Sequence, residues 1–191
     1  SLYETLRNAQ QLQVIAEIKR ASPSKGDIAI NVEPIKQASS YEKNGAACIS
    51  VLTEPHFFKG SYDDLHAVAK ATSIPILCKD FIVENIQIDI AKAAGASVIL
   101  LIVAALPKEK LQHLFDYATN KKLEILVEVH TKEELMIAIE VGAKIIGVNN
   151  RNLKTFDVSL DHTKDIAQYI NRDDIVLISE SGIVTTNDAK F

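Results

Sequence analysis

The sequence has no tryptophan, two cysteines, one methionine and no apolar run longer than residues 98–106. A membrane-spanning helix needs about 20 apolar residues in succession, so none is expected. The first residues, Ser-Leu-Tyr-Glu-Thr-Leu-Arg, lack the basic patch and apolar stretch of a secretory signal. Cys48 and Cys78 both sit inside apolar runs, as small core hydrophobes do, and a reduced, cytoplasmic setting is expected. No charge of one sign dominates: 21 Lys and Arg face 25 Asp and Glu, interspersed, for a net charge of −4. That gives no footprint for nucleic acid, and 6% aromatic residues are too few for a base-stacking platform. The five histidines show no ligand-like spacing with one another or with either cysteine, so no metal is expected. Glycine is scarce where a dinucleotide site would need it, because the turn Arg20-Ala21-Ser22-Pro23-Ser24-Lys25-Gly26 holds a single one. A small-molecule site is what remains.

What the sequence does have is rhythm. Seven β-branched apolar segments recur at residues 14–19, 47–52, 75–81, 97–103, 124–129, 144–149 and 175–180. Their spacing, about 20 to 33 residues, fits a strand, a crossover helix and two loops. Ser61 and Thr131 each precede an acidic residue by three positions, ahead of the 3–4 periodic stripes Leu65/Val68/Ala69 and Leu135/Ala138/Ile139, as helix caps do. Pro34 and Pro107 read as first-turn prolines. Gly45, Gly95 and Gly142, each followed by alanine and then a strand, suit left-handed helix ends. Strict strand–helix alternation predicts a parallel α/β sheet, open or closed.

The polar residues favour closure. Glu17 and Lys19, Lys79, Glu128, Asn149 and Glu180 stand at the C-terminal ends of five strands, where a (β/α)8 TIM barrel carries its active site. Alternation along a strand places Glu17 and Lys19 on the face of Ile15, Lys79 with Leu77, Glu128 with Leu126, and Glu180 with Ile178. If those apolar partners fill the barrel, the charges point into its mouth, where they perturb one another's pKa values and separate acid from base roles. The alternatives are solvated strand ends or an ion-pair network serving stability alone. Ser22, Ser24, Lys25 and Gly26 after the first strand, and Ser181-Gly182 after the seventh, suit a phosphate, or are plain turns. Arg151 offers a planar donor fork or a solvated loop side chain. Phe57, Phe58 and Phe81 lie at or beyond strand ends, as core plugs or as walls of an aromatic site, and the second reading is favoured for Phe58 and Phe81.

Taken together, Glu17-Ile18-Lys19-Arg20-Ala21-Ser22-Pro23-Ser24-Lys25-Gly26, Ser50-Val51-Leu52-Thr53-Glu54, Phe58-Lys59-Gly60-Ser61, Cys78-Lys79-Asp80-Phe81-Ile82, Leu100-Leu101-Ile102-Val103, Glu128-Val129, Asn149-Asn150-Arg151-Asn152-Leu153 and Glu180-Ser181-Gly182-Ile183 resemble the indole-3-glycerol phosphate synthase family, in order over essentially the whole chain. The resemblance implies a (β/α)8 barrel of tryptophan biosynthesis. Its substrate would be 1-(2-carboxyphenylamino)-1-deoxyribulose 5-phosphate, closed to indole-3-glycerol phosphate with loss of CO2 and water and no cofactor. By resemblance Lys79 is the general acid, and Lys19 grips the anthranilate carboxylate and serves as a second donor in dehydration. Glu128 is the base, with Glu17 a competitor. Asn149, Glu180 and Arg151 orient polar groups, Ser22, Ser181 and Gly182 hold the phosphate, and Phe58 and Phe81 flank the ring.

Family members also carry an N-terminal extension with a helix over the site, and an eighth strand with a Gly-Ser phosphate loop. The chain is therefore expected to be a single barrel domain, residues 1–191, incomplete at both ends and a poor catalyst by itself. It is expected to act on a phosphorylated small molecule, with no nucleic acid or membrane partner, as a monomer or joined to another enzyme of the pathway. Two other readings stay open: a different phosphate-binding barrel such as a sugar-phosphate isomerase, and a non-catalytic fragment that folds only with a complementary piece.

Overall fold

The computed structural model describes residues 1–18, 21, 22, 26, 27, 33–56, 60–150 and 161–180. Its strands are β1 (Ile15–Ile18), β2 (Ala21–Ser22), β3 (Gly26–Asp27), β4 (Cys48–Leu52), β5 (Ile76–Lys79), β6 (Val98–Ile102), β7 (Glu124–Val129), β8 (Ile145–Asn149) and β9 (Val176–Glu180). The helices are α1 (Leu2–Arg7), α2 (Pro34–Lys43), α3 (Tyr62–Ala71), α4 (Asn85–Ala94), α5 (Lys108–Asn120), α6 (Lys132–Val141) and α7 (Asp161–Ala167). Among the described residues, none of these is long and apolar enough to cross a membrane. β2 and β3 form a small antiparallel pair, and the other seven strands form one sheet in the order β1-β4-β5-β6-β7-β8-β9. Every neighbouring pair in that sheet is parallel. The seven expected strands are all present, each within two or three residues of its expected bounds.

Local chemistry sets the helix ends. The Ser61 hydroxyl accepts from the Asp64 N–H and the Thr131 hydroxyl from the Glu134 N–H, satisfying donors that the first helical turn leaves open. Pro34 opens α2 as expected, whereas Pro107 stands one place earlier, as the cap of α5. Gly95 and Gly142 end α4 and α6 at φ +112° and +105°, a region that costs a residue with a Cβ and not glycine.

Alternation along the strands divides the core in two. Ile49, Val51, Ile76, Cys78, Ile99, Leu101, Val127, Ile146 and Val148 face the helices. Cys48, Leu77, Val98, Leu100, Leu126 and Ile145 face the other way and pack together with Leu2, Ile15, Ile102 and Ile178 as a second, interior cluster. Ile15, Leu77, Leu126 and Ile178 are the four apolar partners expected inside. A flat seven-stranded sheet would hold its first and last strands about 29 Å apart. Here side chains of β1, β5, β7 and β9 act on one another across the interior, so the sheet is curled as a (β/α)8 barrel curls. The two free cysteines lie on adjacent strands but on opposite faces, each buried.

The floor of the interior is α1, an element that strand periodicity does not reveal. Leu2 is fully buried in the interior cluster, and Tyr3 and Leu6 pack beside it. The Glu124 carboxylate, at the N-terminal start of β7, accepts the Leu2 N–H at 2.7 Å and the Tyr3 N–H at 2.8 Å, and the Tyr3 hydroxyl donates to the Asp174 carbonyl at 2.7 Å. Hydrogen bonds to charged groups contribute about 1.5–3 kcal/mol each when buried, less when half-exposed. Glu124→Ala is thus expected to cost about 1–3 kcal/mol, a fall in Tm of about 2–12 °C for a chain of this size. Because the charged rim lies at the other end of the strands, kcat should stay within about twofold of the parent. A melting curve that matches the parent would show that α1 is held by Leu2 alone.

Candidate active site

At the C-terminal ends of the strands the interior turns from apolar to charged. Glu17 stands two residues beyond Ile15 on β1, Lys79 two beyond Leu77 on β5, Glu128 two beyond Leu126 on β7, and Glu180 two beyond Ile178 on β9. All four reach the space above the interior cluster. Lys79 Nζ donates to Glu17 Oε1 at 2.7 Å, with the two side chains 30% and 25% exposed, so the pair is open to a ligand from above. Burial by itself would push the Lys79 ammonium down. Glu17, Glu180 and Glu128 together outweigh that and hold it above the ordinary lysine value. Glu128 is buried at 8% exposure. Burial pushes the Glu180 carboxyl well above the usual carboxylate range, and the charge and hydrogen bond of Glu128 and the charge of Glu17 push the same way, against the pull of Lys79. The arrangement pairs a cation that keeps its proton with a carboxyl that tends to hold one, which is the separation acid–base chemistry needs.

Asn149 ends β8 in register with Glu180, and its carbonyl meets the His130 ring at 2.9 Å. Phe81 is 47% exposed, two residues past Lys79 on the rim. Ser22 lies in β2, paired with Gly26 just beyond the first barrel strand. Lys19, Phe58, Arg151, Ser181 and Gly182 lie outside the described residues. The structure therefore brings Glu17, Lys79, Glu128 and Glu180 together and sets Asn149 and Phe81 on the same rim.

Three features of the rim are additions to the sequence reading. Asp80 accepts hydrogen bonds from Thr53 Oγ1 at 2.8 Å, from the Tyr62 hydroxyl at 3.4 Å and from the Phe81 N–H at 2.7 Å, tying the loop after β4, α3 and its own next residue to one carboxylate. Ser50 is an inward polar position in the otherwise apolar β4, in register with Glu17, and its buried hydroxyl has no hydrogen-bond partner. Alternation along Cys48–Leu52 marks it. Behind β8 and β9, Asn150 Nδ2 donates to Ser179 Oγ at 2.7 Å, and Asn150 Oδ1 accepts from Thr163 through its N–H at 3.1 Å and its hydroxyl at 2.5 Å. That network fixes α7 behind the rim.

Parallel strands curled around an apolar interior, with lysine and carboxylates gathered at their C-terminal ends, define a (β/α)-barrel enzyme of the acid–base kind. The fold is shared widely: the N-acetylmannosamine-6-phosphate 2-epimerase from Clostridium perfringens superposes with a TM-score of 0.71 at 14% identity, over 98% of this chain and 82% of that one. Sequence comparison is narrower. The profile of the indole-3-glycerol phosphate synthase family matches residues 1–191. The indole-3-glycerol phosphate synthase of Oceanobacillus iheyensis is 56% identical over 189 residues, 99% of this chain and 72% of that protein. The Bacillus cereus protein of the same name is 55% identical over 188 residues, 98% of this chain and 73% of its own. The chain belongs to the indole-3-glycerol phosphate synthase family.

Proposed function

We propose that the chain performs the family's ring closure, converting 1-(2-carboxyphenylamino)-1-deoxyribulose 5-phosphate to indole-3-glycerol phosphate, CO2 and water. The observation that carries the residue assignment is the Lys79–Glu17 pair, 2.7 Å apart on β5 and β1, facing Glu128 and Glu180 from the far side of the barrel. Lys79 donates a proton to the ribulose carbonyl oxygen as the ring carbon bearing the carboxylate attacks that carbonyl carbon. The carbon–carboxylate bond then breaks, CO2 leaves, and its electron pair returns to the ring. Dehydration removes the new hydroxyl as water, with Lys19 or Lys79 supplying the proton and Glu128 or Glu17 taking one from the substrate. Each positioned acid or base contributes about 10²–10⁴-fold, and the rest comes from holding a flexible substrate folded for attack.

Asn149, Glu180 and Arg151 are assigned to orienting polar groups. Ser22, Ser181 and Gly182 are assigned to the phosphate, and Phe58 and Phe81 to the aromatic ring. The two free buried thiols support a reducing, cytoplasmic setting. The test is the rise of indole fluorescence when the purified protein meets the carboxyphenylamino ribulose phosphate. Turnover is expected from a protein of the relatives' full length, of which this chain spans 72%, and its absence there would reopen the assignment.

A further inference from the structure

β8 separates β7 from β9, so Glu128 and Glu180 start about 10 Å apart, two inter-strand steps. Their carboxyls nevertheless meet. The strand between them presents Gly147 to the interior, in register with Glu128 on one side and Ile178 on the other. A Cβ built on Gly147 would stand 3.0 Å from both Cδ and Oε2 of Glu180 and 3.2 Å from Leu126 Cδ1. The Glu180 side chain therefore lies down over the bare backbone of β8 to reach β7. Its Oε2 is sealed from solvent and accepts no hydrogen bond.

We propose that Gly147 is a positioning residue of the reaction: by leaving the inward face of β8 without a side chain, it lets Glu180 cross that strand and join Glu128 as a carboxyl pair sharing one proton. The inference rests on the reading of this rim as the catalytic site. Two facing carboxyls cannot both ionise at hydrogen-bonding distance without a large cost, so one of them carries a proton at neutral pH. Burial and the Glu128 charge raise the Glu180 carboxyl well above the usual carboxylate range. The charged groups facing it are Glu17 from β1, Lys79 from β5 and Glu128 from β7, with the amide Asn149 from β8 beside it. A side chain at 147 would lift the carboxyl off β8, break the pair and restore two separate anions around Lys79.

The atoms that an alanine would meet are side-chain atoms, with no backbone among them, so the strand can hold while Glu180 moves. Gly147→Ala is expected to lower kcat about threefold or more, because its Cβ makes the Glu180 carboxyl give by a few tenths of an ångström, and displacement of a site group by a full ångström costs up to about a hundredfold. On a Glu180→Gln background the same substitution should cost under about twofold, since there is no pair left to break. Difference infrared spectroscopy of the resting protein at neutral pH reads the pair without turnover. The carbonyl band of a protonated carboxylic acid should be present in the parent and absent in Gly147→Ala and Glu180→Gln. Glu180→Asp, too short to cross β8, should lose the band with Gly147 intact. A band that survives in Gly147→Ala or in Glu180→Asp overturns the inference, as does an undiminished Gly147→Ala penalty on the Glu180→Gln background. If the band behaves as expected in a protein that turns over no substrate, the pair stands and the assigned reaction falls.

Discussion

Replacing Lys79 with alanine is expected to reduce kcat at least a hundredfold while the protein still folds, as loss of a general acid does. Nζ is the one cation among the described residues that lies against Glu17, and Glu128 and Glu180 act on it from across the barrel. Removing it takes the proton donor from the site and leaves carboxyl groups facing one another. Arginine should not rescue the rate. Its planar fork does not fit where an ammonium sat, so it cannot place a donor against both Glu17 and the substrate carbonyl.

The pH dependence of stability separates a structural from a chemical effect. The folded protein raises the Lys79 pKa, so its contribution is fully present below the unfolded lysine value of about 10.4 and is lost as pH rises through the folded value. The parent should therefore lose in the alkaline range a stability that Lys79→Ala never had, whereas the kcat deficit should persist at neutral pH. Steady-state fluorescence assays and melts at several pH values measure both. A variant within tenfold of the parent rate would remove Lys79 from the role of general acid.

The parts of this molecule that were legible in the sequence are those whose signal is local. Ser61 and Thr131 announced their helices because a cap and the N–H it serves lie three residues apart. Glu17, Lys79, Glu128 and Glu180 announced the rim because each shares a strand face with an apolar residue two places back. The remainder depends on distant partners. α1 is six residues long, too short for a periodic stripe, and its anchor Glu124 is 122 residues away in sequence. Ser1 and Glu4 do carry the spacing of a cap, and the Ser1 hydroxyl accepts the Glu4 N–H, so a cap search extended to the first residue would have found the helix. Asp80 looks like any strand-end carboxylate until Thr53 and Tyr62 are folded onto it. Gly147 is a harder case, because a missing side chain carries meaning only once the register has placed Glu128 and Ile178 on either side.

Gly60 is such a case with a larger penalty attached. The chain leaves β4 at Leu52 and returns so closely that a Cβ on residue 60 would lie 1.8 Å from the Leu52 carbonyl oxygen, 2.5 Å from its carbon and 3.1 Å from Thr53 Cα. The Gly60 N–H donates to the Glu54 carbonyl at 3.0 Å, which pins the return in place. All the atoms in the way belong to the backbone, so no rotamer change relieves the overlap and the two segments must part by more than an ångström. Leu52 is in register with Lys79 on β5, the Thr53 N–H donates to the Lys79 carbonyl at 3.2 Å, and the Thr53 hydroxyl holds Asp80. Parting at Gly60 therefore moves the strand end that carries Lys79. Gly60→Ala is expected to cost about 1–3 kcal/mol or more, as overpacking does, and to lower Tm by about 2–12 °C. It should also lower kcat more than Glu124→Ala does, because its strain reaches the rim and that of Glu124→Ala reaches only the floor. Thermal melts and steady-state rates on the two variants side by side decide the matter. A Gly60→Ala protein with parental melting and parental kcat would mean that β4 and the returning chain do not touch, and that Thr53 does not carry strain to Lys79.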